Sequence, residues 1–149
     1  MPEIAATSVN PIRSGKIMMT VFSLPMPALL HRCHRALFAM AGTGDGPAAG
    51  RGAGQRNARE PLLGKRVLLV EDEALLAMEL QFAFEDAGAE VLGPALSRDA
   101  ALALIESGAE IDLAVLDVDL AGRDVYPVAR LLVDRGVRFL FHTGHGSRE

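Results

Sequence analysis

The sequence holds one cysteine, Cys33, so no internal disulfide can form, and a reducing, cytoplasmic compartment fits best. No apolar run reaches the roughly 20 residues a membrane helix needs. Residues 17–30 are apolar, but Pro25 and Pro27 interrupt them and His31-Arg32-Cys33-His34-Arg35 follows, which argues against a secretory signal. Basic residues are also scarce where the chain looks folded. Residues 1–60 carry seven Lys/Arg against three Asp/Glu, whereas residues 61–149 carry eight against sixteen. An acidic folded part has no basic stripe to displace counterions from phosphates, which argues against non-specific nucleic-acid binding.

The charge split coincides with a change of pattern. Residues 1–60 read as a mostly irregular basic leader. Within it, residues 28–41 could form a short amphipathic helix with Leu29, Cys33, Leu37 and Met40 on one face. Residues 42–60, rich in Gly, Ala and Arg, read as a linker. His31, Cys33 and His34 crowd too closely on this leader to suggest a metal site.

From residue 61 the pattern is regular. Continuous apolar runs predict strands buried on both faces at residues 66–70, 90–92, 111–116 and 137–141. Helices are predicted over residues 74–87 and 98–107, the latter capped by Ser97. A third should follow Asp124 as its cap, with Pro127 in its first turn. Gly88, Gly108 and Gly136 each separate a helix from the next strand. Gly93-Pro94 should end the second strand. Such alternation predicts an α/β fold: right-handed βαβ units around a doubly wound parallel sheet. Ligands bind such sheets beyond the carboxyl ends of the strands.

Glu71, Asp72, Asp117 and Thr143 all fall at those ends. Converging carboxylates repel one another, and a hard divalent cation relieves the repulsion. Mg²⁺ suits oxygen ligands and bridges to phosphate oxygens. Asp117 could then act as a nucleophile toward phosphorus, and the Thr143 hydroxyl could hydrogen-bond a phosphoryl oxygen. His142 and His145 flank this rim and read as surface or packing residues.

Three segments carry a resemblance: Lys65-Arg-Val-Leu-Leu-Val-Glu-Asp-Glu73, Leu113-Ala-Val-Leu-Asp-Val-Asp-Leu120 and Phe139-Leu-Phe-His-Thr-Gly144. In order and spacing they resemble the receiver domain of bacterial two-component response regulators, over residues 64–149. The resemblance implies a flavodoxin-like fold and a phosphoacceptor signalling role in a phosphorelay, not an enzyme. It makes Asp117 the phosphoacceptor, Thr143 the switch hydroxyl, and Asp72 and Glu71 the Mg²⁺-binding acids. Asp119 matches the position whose backbone carbonyl completes the metal site. The implied partner is a sensor histidine kinase or phosphotransfer protein.

The family's last strand ends in a Lys-Pro pair, for which the sequence to Glu149 has no counterpart. The expectation is therefore an incomplete domain of about four strands and three helices at residues 61–149. Its fourth strand would present an open edge, inviting self-association. Two other functional readings stand beside the phosphoacceptor. One is a phosphorylation-incompetent receiver acting as a binding module or remnant. The other is a phosphohydrolase of the haloacid dehalogenase type, suggested by Asp117-Val-Asp119.

Overall fold

Strand order follows from where the apolar runs must be buried. The computed structural model describes residues 21–23 and 62–143. Strand β2 (Arg66–Val70) has four fully buried residues and sits inside a parallel sheet. Helix α1 (Ala74–Asp86) leads to β3 (Glu90–Ala95), and α2 (Arg98–Glu106) to β4 (Leu113–Asp117). A small hairpin, β5 (Asp119–Leu120) and β6 (Arg123–Asp124), precedes α3 (Tyr126–Asp134) and β7 (Arg138–Thr143). The sheet order is β1-β7-β4-β2-β3, where β1 is a short strand, Val21–Ser23.

Alternation along the strands divides the core in two. Val67, Leu69, Val115 and Leu140 face α1, which contributes Leu76, Leu80 and Phe84. Leu68, Leu116, Phe139 and Phe141 face the opposite layer, with Ile105 of α2 and Leu132 of α3. One helix on one face and two on the other is the outcome right-handed crossovers require for this strand order. Arg135 Nη1 donates to the Ile105 carbonyl at 2.6 Å, tying α3 to the end of α2. The second apolar stripe of α1 (Leu75, Met78 and Phe82) is exposed. No helix among the described residues is long and apolar enough to cross a membrane.

Several boundaries differ from expectation. Strand β3 runs through Gly93-Pro94 rather than ending there. Proline is tolerated because β3 is an edge strand. A one-residue register shift opposite Leu68 and Val70 absorbs the irregularity. Gly93 has φ +105°, and a Cβ on it would lie 2.6 Å from the Ala95 nitrogen and 2.9 Å from the Leu69 carbonyl oxygen, so only glycine fits. The shift brings the Ala95 carbonyl to the Glu71 amide (3.0 Å), fixing the backbone of a candidate site residue. Asp124 does not cap α3. That position falls to Val125, while Asp124 Oδ1 accepts from the Tyr126 amide at 3.1 Å. Ser97 caps α2 as expected, accepting from the Ala100 amide.

The strands β2, β3, β4 and β7 and the three helices match the expected α/β core. The open outer edge matches only in part. Strand β1, from the region read as irregular leader, pairs in parallel with β7: Val21 with Phe141, Phe22 with His142 and Ser23 with Thr143. Of the edge expected to be free for self-association, only the end at Phe141, with His142 and Thr143 beyond it, is therefore paired by β1. Such an edge is a row of unpaired amides and carbonyls, and any segment of compatible direction can satisfy it. The possible helix at residues 28–41, the linker, and His31, Cys33, His34, Gly144 and His145 lie outside the described residues.

Candidate functional site

Adjacent strands β2 and β4 pair Val70 with Leu116, so the residues that follow each, Glu71 and Asp117, meet at the carboxyl end of the sheet. Ligand oxygens of Glu71, Asp72 and Asp117 all lie within 4.8 Å of one another. Glu71 and Asp117 are buried and Asp72 is half-buried, so the cluster opens to solvent on one side. Glu71 Oε1 accepts the Glu73 amide at 3.0 Å, and Asp117 Oδ1 accepts the Asp119 amide at 3.2 Å. The sequence reading thus named three carboxylates that the fold does bring together.

Thr143 ends β7, one residue beyond the Asp117–His142 pair in register, and is half-buried at the same rim. The Asp119 side chain is exposed and turned away. Its Oδ1 accepts the Gly122 amide at 2.7 Å, closing the β5–β6 hairpin. That hairpin turns at Ala121 and Gly122, both with positive φ (53° and 78°), as a two-residue turn of its twist demands.

One residue at the site was not anticipated. Of the surface and packing roles left open for His142, the structure gives it the second: it is fully buried, with Nε2 3.1 Å from Glu71 Oε2. The signal was in the alternation: Leu140 and His142 share a strand face whose neighbours are core.

Burial dominates the electrostatics. It pushes the Glu71 carboxyl up to about 8, against the lowering effect of the Glu73 amide and with further raising by Asp117 and Asp72. Burial likewise raises Asp117, to about 6, against the Asp119 amide and with the Asp72 charge adding to the rise. In the contact between the two acids the proton belongs on Glu71. Burial lowers His142 to about 4. These shifts give stability a definite pH dependence without metal. A carboxyl raised on folding binds more protons folded than unfolded, so stability falls as pH rises through its window. A lowered histidine acts oppositely, but only between about 4 and its ordinary 6.5. Between pH 6.5 and 8 Glu71 contributes most of this dependence among the described residues. Metal-free protein should therefore lose on the order of 1 kcal/mol across that interval. Urea titrations at both pH values check this, and Glu71→Gln should flatten the dependence.

No protein-family model and no curated protein matches the sequence. Three solved structures show likeness. The response regulator PhyR from Brucella abortus is 32% identical, over 54% of this chain and 33% of that one, with a TM-score of 0.49. SdrG from Pseudomonas melonis Fr1, in a BeF3-activated conformation, is 42% identical over 56% of this chain and 70% of that one, with a TM-score of 0.47. The chain belongs to the response-regulator receiver family. A third chain, a yeast Spc42 trimeric coiled-coil segment fused to another structure, is 27% identical over 58% of this chain and 59% of that one, with a TM-score of 0.51. This receiver spans about a third of PhyR's length.

Proposed function

We propose that this receiver accepts a phosphoryl group on Asp117 from the phosphohistidine of a sensor histidine kinase or phosphotransfer protein, with Mg²⁺ as cofactor. Supporting the reading is the convergence of Glu71, Asp72 and Asp117 within 4.8 Å at adjoining strand ends. The donor set fits the ion: hard carboxylate oxygens, crowded and partly buried, whose repulsion a divalent cation relieves. Glu71, Asp72 and Asp117 would hold it together with the backbone carbonyl of Asp119. When bound, Mg²⁺ neutralises charge on the phosphoryl oxygens.

The chain's own residues do the rest. The Asp119 amide occupies Asp117 Oδ1, which leaves Oδ2 to attack phosphorus. The new bond is O–P; the P–N bond of phosphohistidine breaks, and the departing imidazole takes up a proton. Thr143, at the neighbouring strand end, would donate its hydroxyl to a phosphoryl oxygen. A phosphoryl group adds about 1.5–2 negative charges and three acceptors, enough to reorganise nearby loops and so report the signal to a partner protein.

A second reading, a receiver that binds partners without accepting phosphate, is favoured by one observation. The described residues contain a single lysine, Lys65, and it precedes β2 at the end of the sheet opposite the carboxylates. Incubation with acetyl phosphate and Mg²⁺, read by intact mass, separates the two. The phosphoacceptor gains one phosphoryl group and loses that gain in Asp117→Asn. A wild-type chain that gains none leaves the binding module as the reading.

A further inference from the structure

β7 places Leu140 and His142 toward α1 and Phe139 and Phe141 toward the other layer. At the first, third and fourth of these positions the chain uses an apolar side chain. At His142 it buries an imidazole with no exposed surface at all. A buried polar group without a partner costs about 1–3 kcal/mol, so its neighbourhood should explain it. That neighbourhood supplies one acid. His142 Nε2 lies 3.1 Å from Glu71 Oε2, and both side chains are sealed from solvent. Neither ring nitrogen, nor Glu71 Oε2, has an aligned hydrogen bond in this arrangement. The other carboxylate oxygen, Oε1, is already fixed by the Glu73 amide.

We propose that His142 is a positioning residue for the Glu71 carboxylate, donating from Nε2–H to Oε2 when Glu71 is ionised to bind Mg²⁺. The inference rests on the metal reading above and deepens it. Glu71 has three rotatable side-chain torsions, and a ligand free to turn must be ordered when the ion arrives. A donor at each oxygen removes that freedom beforehand. The Glu73 amide comes from the N-cap of α1 and the imidazole from β7, so two separate elements clamp one carboxylate. Asp117 Oδ1 is held in turn by the Asp119 amide. Groups that orient metal-binding side chains in this way contribute about 10–100-fold to metal affinity.

The test is Mg²⁺ titration of the full chain by calorimetry, with the Mg²⁺-induced rise in melting temperature as second readout. His142→Phe removes the donor and keeps an aromatic ring. His142→Gln keeps an N–H donor near the position of Nε2. His142→Met replaces His142→Phe should the larger ring fail to fold. The expected result is a loss of about 10–100-fold in Mg²⁺ affinity for Phe or Met, with most of it restored by Gln. A purely structural histidine would instead lower stability in all three while leaving the affinity of the folded protein unchanged, and that result overturns the proposal alone. A wild-type chain that binds no Mg²⁺ overturns both the proposal and the metal reading beneath it.

Discussion

Asp117→Asn is expected to melt at a higher temperature than the wild-type chain without Mg²⁺, and to lose the stabilisation that Mg²⁺ gives. The two effects have one cause. Asp117 is buried beside two other acids, and burial raises its carboxyl well above the usual range. At pH 7 the folded state therefore holds a charge that the unfolded state hydrates freely. Asparagine removes the charge and keeps the shape. Its amide oxygen can still accept the Asp119 N–H that Asp117 Oδ1 accepts at 3.2 Å. The gain should be on the order of 1–3 kcal/mol at pH 7. In a domain of this size each kcal/mol moves the melting point by roughly 4–8 °C. The same substitution takes away a candidate ligand, so the affinity for Mg²⁺ should fall at least about tenfold. Melting curves with and without Mg²⁺ decide the matter. A variant that melts lower than wild type in metal-free buffer would show that Asp117 is held by favourable contacts rather than strained by its neighbours.

Phe84→Ala should cost about 3–5 kcal/mol, a large share of the 5–15 kcal/mol that holds a domain together. Phe84 lies in the last turns of α1 and is fully buried against the sheet face carrying Val67, Leu69 and Val115. Truncation would leave a cavity between two rigid layers with little means of closing. Phe82, two residues earlier on the same helix, is 60% exposed. Phe82→Ala should change stability by no more than about 0.5 kcal/mol. The pair tests how α1 is seated, because a rotated helix would exchange the two outcomes. Urea denaturation measures both, with the midpoint falling sharply for the first and holding for the second.

The legible parts of this molecule are those where one residue type has one plausible use. Apolar runs bounded by carboxylates revealed both β2 with Glu71-Asp72 and β4 with Asp117, since a charge at the end of a buried strand serves no packing purpose. Glycines after helices marked where α1, α2 and α3 stop. Reading failed where tertiary context chose between acceptable options. Gly93-Pro94 is an ordinary stop signal, and only the edge position of β3 lets the strand run through it. Asp124 and Val125 are both workable starts for α3, and the hairpin before the helix decides between them. His142 could be read as either a surface or a packing residue; its burial depends on β7 extending to Thr143, two residues beyond the run of apolar side chains. Strand β1 has only three residues and no pattern of its own. Nothing local could announce it, because its partner lies at the other end of the sequence.

That separation bears on the order of assembly. Strands β2, β3, β4 and β7 join residues from one continuous stretch, each linked to the next by a single helix. The pairing of Val21 with Phe141 instead bridges about 120 residues. Contacts so distant in sequence form late, after nearer ones have lowered the entropy of closing the loop. A four-stranded body can therefore condense first and receive its outer strand afterwards. Because Ser23 lies opposite Thr143, the strand tip beside the carboxylates gains its outer neighbour only in that second stage.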